Sequence, residues 1–407
     1  MRSAQAGPRR SAWEVFHVFL VLGLTSFGGP VAHLGYFRSA LVERRKWLGD
    51  REYAELVALC QFLPGPASSQ VGFALGLHRA GFRGALAAFA AFTLPSAVLL
   101  VAFASGAALF SGPVGGGLLT GLKIVAVAIV AQAVLGMART LAPDRQRAAI
   151  AAAAAVAALL LPGSAGQITA LVLGALAGCL FCRTQDEPSE AAPHAAVRLS
   201  PVRRSLGIAS LSLFAVLLLG TPLLVLVTGS GALALFEAFY RAGSLVFGGG
   251  HVVLPLLQAG TVETGWVTGQ EFLTGYGAAQ AVPGPLFTVA AFLGAVSATG
   301  PGGVLGAGIA LLAIFLPGFL LLVGVLPFWD ALRRRVWARA VMRGANAAVV
   351  GILAAALYMP VFTTAITGPG AFSLAVVCFV LLIAWKLPPW AVVLAGAAGG
   401  LVLELLA

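Results

Sequence analysis

The chain is 407 residues long, 60% apolar and only 10% charged, with a mean hydropathy of +0.98, which marks a polytopic membrane protein and excludes a soluble domain. Its formal charge of +11 would suit nucleic acid, but the basic residues sit in short segments between apolar stretches, as membrane topology dictates, so no nucleic-acid partner is expected. Four scattered cysteines are too few for a disulfide framework, and the redox-type spacing of Cys179 and Cys182 has no second pair beside it.

In chain order, Met1 to Arg10 is basic and leads into apolar sequence with no small-residue cleavage site after a short core, so it reads as a retained first element. Thirteen apolar stretches are predicted, at 12–36, 53–77, 84–110, 114–137, 148–161, 165–182, 205–227, 233–257, 272–297, 304–326, 341–362, 371–384 and 388–406. Most approach the roughly 20 residues of a spanning helix, while 148–161 and 371–384 are short. The first two are interrupted, by Phe27-Gly28-Gly29-Pro30 and by Pro64-Gly65-Pro66. The interruptions return beyond the middle of the chain as Phe247-Gly248-Gly249-Gly250 and Pro283-Gly284-Pro285. Backbone freed at such breaks is tolerated in a membrane only where protein or trapped water satisfies it, so each break implies a polar site.

The duplication extends past the motifs. At an offset of 220, Phe16, Phe19, Gly23, Phe27, Gly28 and Gly29 match Phe236, Phe239, Gly243, Phe247, Gly248 and Gly249. At 219, Trp47, Glu52, Gln61, Pro64, Gly65, Pro66 and Phe73 match Trp266, Glu271, Gln280, Pro283, Gly284, Pro285 and Phe292, and Pro95 matches Pro317 at 222. This divides the chain into a first repeat, 1–182; a linker with an unpaired apolar stretch, 183–230; and a second repeat, 231–407. Corresponding elements lie seven stretches apart, an odd number, so the second repeat is inverted relative to the first if both cross alike.

Charge tests how the interrupted stretches run. If all thirteen cross with the N-terminus inside, 18 Lys and Arg lie inside and five outside, all five between residues 37 and 52 (Arg38, Arg44, Arg45, Lys46 and Arg51). If the interrupted stretches are hairpins that enter and leave on one face, 23 lie inside and none outside, with Lys123 and Arg241 left in the membrane. Residues 52–62 and 67–77 are each about 16 Å long as helix, half the hydrocarbon core, and suit two half-helices meeting at mid-membrane. A kinked helix that still spans is the alternative.

These breaks suit an anion. A half-helix starting after Pro66 presents the N–H groups of Ala67, Ser68 and Ser69, and its counterpart those of Leu286, Phe287 and Thr288, with hydroxyls beside them. Intramembrane charge is costly and marks function, which singles out Lys123, Arg241, His33, His251 and Glu237. Each has a blander reading: Lys123 and Arg241 snorkel, Arg241 pairs with Glu237 four residues earlier, the histidines bond a neighbouring carbonyl, and Gln61 and Gln280 satisfy freed backbone. Trp47 and Trp266 are expected to anchor at the membrane interface.

The segments Phe27 to Arg38, Trp47, Glu52-Tyr53 and Gln61 to Gln70, with Phe247 to His251 and Gln280 to Pro285, resemble the paired motifs of the chromate ion transporter family. The resemblance covers nearly the whole chain. The residues themselves give the expectation of an all-α polytopic protein with two inverted repeats and a cytoplasmic N-terminus; the resemblance implies a two-domain protein of the bacterial inner membrane that exports chromate, driven by the membrane potential or proton gradient rather than ATP, and so confers chromate resistance. Sulfate shares chromate's charge and tetrahedral shape and is the alternative substrate. The expected partners are the anion and the lipid bilayer, and pairing of two copies stays open. Val21 stands where relatives often carry a basic residue, matching Arg241, and Val253 stands in the place of His33.

The expected anion contacts are Gly28, Gly29, Gln61, Pro64, Gly65, Pro66, Ser68, Ser69, Lys123, Arg241, Gly248, Gly249, Gln280, Pro283, Gly284, Pro285 and Thr288, with His33, His251 and Glu237 as proton-coupling groups. No cofactor or metal is expected. A membrane reductase would need a cofactor site, and the sequence holds no phosphate loop, no His-Glu-x-x-His and no clustered cysteines.

Overall fold

The computed structural model describes residues 11–106, 112–161, 163–182, 202–247, 249–332 and 335–406. The described residues are helical throughout, and five helices are long and apolar enough to cross a membrane, within 67–106, 114–141, 204–228, 303–332 and 336–365. The protein is therefore an all-α polytopic membrane protein.

The first repeat begins with α1 (Ala12–Thr25), capped by Ser11, whose hydroxyl accepts from the Trp13 N–H. After a break the chain resumes as α2 (Gly29–Phe37), with Pro30 in its first turn, and runs on into a π-helical stretch, Arg38–Arg44. Helix α3 (Asp50–Phe62) ends at the Pro64-Gly65-Pro66 break, and α4 (Ala67–Gly106) starts immediately after it. As one rod α4 would be about 60 Å long, twice the hydrocarbon core. It turns back instead at Ala80 and Gly81, where φ reaches +66° at Gly81. Residues 67–79 are thus one short helix and 82–106 a second, long enough to cross a membrane.

Next come α5 (Pro113–Leu141), α6 (Arg145–Leu160) and α7 (Gly163–Phe181), then α8 (Arg204–Thr228). Leu219, Leu226 and Val227 of α8 are 71–84% exposed, as on a face turned to lipid. The second repeat follows the same plan: α9 (Gly231–Leu245), α10 (Val253–Thr261), α11 (Gly269–Ala281), a break, α12 (Val289–Val296) and α13 (Gly303–Val325). The short α14 (Trp329–Leu332), α15 (Val336–Ala356), the short α16 (Thr363–Ala365), α17 (Pro369–Ile383) and α18 (Pro389–Leu406) complete it. The two stretches that looked short in the sequence are real helices, α6 and α17.

The ends of the interrupted elements meet. Arg79, at the end of 67–79, bonds Glu14 at the start of α1 at 2.8 Å and lies 4.9 Å over the ring of Trp47, just before α3. At the matching positions of the second repeat, the Ala298 N–H donates to Trp266 O at 2.9 Å. Trp47 is thereby buried, 4% exposed, against the expectation of an interfacial anchor, because Arg79 covers it. The last helices exchange partners: α5 packs against α17 and α18, while α15 packs against α6 and α7.

Candidate anion site

The four breaks converge. At the tip of the first repeat Gly65 has φ +116° and its N–H donates to Val246 O at 2.7 Å, just beyond α9 in the second repeat. At the tip of the second, Gly284 has φ +105° and donates to Ser26 O at 2.9 Å, just beyond α1 in the first. Only glycine adopts such angles without strain, which explains the residue between the two prolines. Each tip therefore closes the broken helix of the other repeat. The first breaks also approach one another: a Cβ on Gly250 would lie 3.1 Å from Pro30 Cγ.

Carbonyls at the tips are bonded in two different ways. Gln70 Nε2 donates to Pro64 O at 3.0 Å and to Gly318 O at 2.9 Å. Pro283 O instead accepts from the Ser96 hydroxyl of α4. Ser96 and Gly318 occupy corresponding places, each after the proline of its helix, so a serine serves one tip where the missing side chain of Gly318 admits Gln70 at the other.

Around the first-repeat break the surroundings are polar. His33 is fully buried, and its Nε2 donates to Ser26 O at 3.2 Å, since a carbonyl only accepts. That leaves Nδ1 to accept from the Ser68 hydroxyl at 3.4 Å. The imidazole thus ties α2 to α1 and to the helix after Pro66. Among the described residues, the hydroxyls of Ser26, Ser69 and Thr93 and Oε1 of Gln70 are buried without a partner. Buried polar atoms seldom go unpaired, so water or a ligand is the expected occupant. The Gln70 N–H is the first to bond back along its helix, to Pro66 O at 2.9 Å, and the N–H groups of residues 67–69 precede that ladder.

The expected site residues divide accordingly. Gly65, Pro66, Ser68 and Ser69 lie buried at the first tip, Pro64, Gly284 and Gln280 are half-buried, and Pro283 and Pro285 are buried at the second tip. Gly28 and Gln61 are exposed and Gly29 and Gly249 half-buried, while Gly248 lies outside the described residues. Thr288 is turned inward: its N–H and hydroxyl both bond Pro285 O, at 3.0 and 2.7 Å. His251 Nδ1 shares a hydrogen bond of 2.8 Å with Tyr276 Oη. Arg241 pairs with Glu237 at 3.4 Å on one face of α9. Lys123 Nζ donates to Gln270 Oε1 at 3.4 Å, near Glu404. Gln270 lies about 20 Å of helical rise from Pro283 along α11, so Lys123 does not join the tips. Sequence reasoning missed Ser26, Thr93 and Ser96; of these only Ser26, beside the break, carried a local signal.

A family model described as chromate transporter matches residues 13–179 and again residues 233–401. The chain belongs to the chromate transporter family. A probable chromate transport protein of Synechococcus elongatus is 30% identical over 357 residues, 86% of this chain and 84% of its own. Chromate transport proteins of Pseudomonas aeruginosa and Cupriavidus metallidurans are 29% and 28% identical, covering 86% and 97% of this chain and 80% and 94% of theirs. No solved structure matches. Membership of the chromate transporter family makes the chain a multi-pass inner-membrane secondary transporter of an oxyanion and not an enzyme. Among the described residues no group of three His, Cys, Asp or Glu is placed to hold a metal.

Proposed function

We propose that this transporter exports chromate from the cytoplasm by alternating access, with the anion held where the four breaks converge. The reciprocal hydrogen bonds Gly65 N–H to Val246 O and Gly284 N–H to Ser26 O carry this reading. They support a reading as two repeats, 1–182 and 231–407, related by a pseudo-twofold axis, with 183–230 as the linker and the unpaired helix α8. Both interrupted elements of each repeat are re-entrant hairpins. The contacts of Arg79 with Trp47 and of Ala298 with Trp266 support this by bringing together the two ends of the second interrupted element in each repeat, and Arg79 also reaches Glu14 at the start of the first. Five crossings then separate the repeats (82–106, α5, α6, α7 and α8), an odd number that inverts the second.

The first-repeat break binds the dianion through the N–H groups of residues 67–69 and the unpartnered hydroxyls of Ser26 and Ser69, donors that suit an anion at a helix start. Rocking of one repeat against the other exchanges the tip contacts and exposes the site alternately. A dianion leaving a negative-inside cell gains about 2.3 kcal/mol per charge per 100 mV, so the potential alone drives export. His33 is the group placed to add proton coupling, because protonation of Nδ1 requires Ser68 to turn.

Uptake of radioactive chromate into everted vesicles tests the substrate, direction and coupling together. Potential-driven uptake that survives collapse of the proton gradient and resists excess sulfate is expected. Uptake of sulfate in preference to chromate would assign the protein to sulfate, and absence of potential-dependent uptake of either sinks the export reading.

A further inference from the structure

Beside α1 the molecule holds an open cleft of about 700 Å³, bounded on its other side by α2 and the π-helical return. That is ample room for a hydrated tetrahedral dianion. It runs from Glu14 to Thr25, about 17 Å of helical rise, and ends one residue before Ser26. At the matching place in the second repeat the space shrinks to about 10 Å³, barely one water, because Arg241, Leu245 and Leu256 stand where Val21, Thr25 and Tyr36 stand in the first, and α7 closes over them with Gln167.

From this asymmetry we infer that the first-repeat cleft is a second oxyanion site, an entry vestibule in which Arg44 and Arg45 hold the anion before it moves to the break. The inference rests on the oxyanion reading above and adds a place that reading does not use. Both arginines line the cleft, are exposed, and make no ion pair with a described residue. The neighbouring carboxylates are engaged elsewhere: Glu43 and Asp50 by Arg38, at 3.6 and 2.9 Å, and Glu14 by Arg79. The cleft therefore presents two guanidinium groups that no described carboxylate holds in an ion pair. Guanidinium groups match tetrahedral oxyanions with paired donors, and low-dielectric walls focus their field on the cleft. His17 also lines the cleft, with its Nδ1 donating to Trp13 O at 3.2 Å.

Equilibrium dialysis of the purified full chain in neutral-lipid nanodiscs, with radioactive sulfate and chromate as probes, tests the site apart from transport. Wild type is expected to bind more than one anion per chain. Arg44→Gln/Arg45→Gln is expected to lose one binding event, with affinity there at least tenfold weaker, and Arg44→Lys/Arg45→Lys to retain it within about threefold. Unchanged binding in the Gln variant overturns the vestibule and leaves the transport reading standing, as does a wild-type stoichiometry of one. Repeating the measurement in phosphatidylglycerol discs separates the sources of anionic chemistry. If the lipid abolishes the arginine-dependent event, the cleft is a headgroup site and the free-oxyanion proposal fails. If vesicles transport no oxyanion while the arginine-dependent event persists, the vestibule stands and the export reading falls.

Discussion

The two tips share a backbone and differ in nearly everything that surrounds it. Around the first-repeat break stand Ser26, His33, Ser68, Ser69 and Gln70, and at the matching positions of the second repeat stand Val246, Val253, Phe287, Thr288 and Val289, all buried; Thr93 in α4, buried and unpartnered, matches Phe315. Phe287 and Phe315 lie 5.7 Å apart and Phe315 continues into Phe319, which stacks on Phe73 at 4.4 Å. One copy of the scaffold has kept unpaired donors and the other has filled the same space with aromatic carbon. A duplicated fold can thus keep both of its closing contacts while only one copy retains a polar interior.

The comparison breaks most severely if a tip cannot close. Gly284→Val places a branched side chain at φ +105° against Ser96, and Gly65→Val does the same at +116° with its Cβ 3.0 Å from Gly318 Cα. Both are expected to abolish chromate uptake, with folded yield by size-exclusion chromatography falling more than fivefold; normal uptake in either would refute the closing role. Glu14→Gln has no counterpart to tolerate it, since Ala298 stands where Arg79 does. It strands a cation only 9% exposed and is expected to cost about 2 kcal/mol, less than a fully buried pair, because Glu14 is one-third exposed. Thermal unfolding in detergent measures it, and Arg79→Leu/Glu14→Leu should recover most of the loss.

A finer test transplants one tip's bonding to the other. Gly318→Ser alone sets a Cβ 3.2 Å from Gln70 Nε2 and is expected to lower stability by about 1 kcal/mol through the displaced hydrogen bond. Gly318→Ser/Gln70→Val, which copies the second repeat, should restore it; a double variant worse than the single would show that the two tips are not interchangeable. The smallest effect is at the start of α3, where Glu52 accepts from the Gly49 N–H as Glu271 does from Thr268, but only Thr268 adds a hydroxyl cap. Gly49→Thr should gain a few tenths of a kcal/mol, seen as a small rise in the unfolding midpoint.

Much of this architecture is legible in the sequence because breaks, offsets and loop charge are local or additive signals. The five basic residues between 37 and 52 favour hairpins by charge alone, and the spacing of Glu237 and Arg241 allows the ion pair that the structure shows. What stayed hidden is the partner choice. Nothing in the order of residues says that Gln70 reaches Gly318 or that Gly284 bonds Ser26, since such contacts depend on how two repeats dock and not on any period along the chain. Lys123 shows the same limit: depth in an apolar stretch marked it as functional, but depth does not fix direction, and its side chain turns to Gln270.

The exchange of contacts between repeats has a consequence for how such a molecule is made. A fragment ending at residue 182 would hold the Gly65 donor without Val246, and α5 without α17 and α18; a fragment starting at 202 would hold Gly284 without Ser26, and α15 without α6 and α7. Neither could complete itself, yet each carries the pieces the other lacks. Synthesis of the first portion must therefore wait, unfinished in the bilayer, for its sibling to be translated.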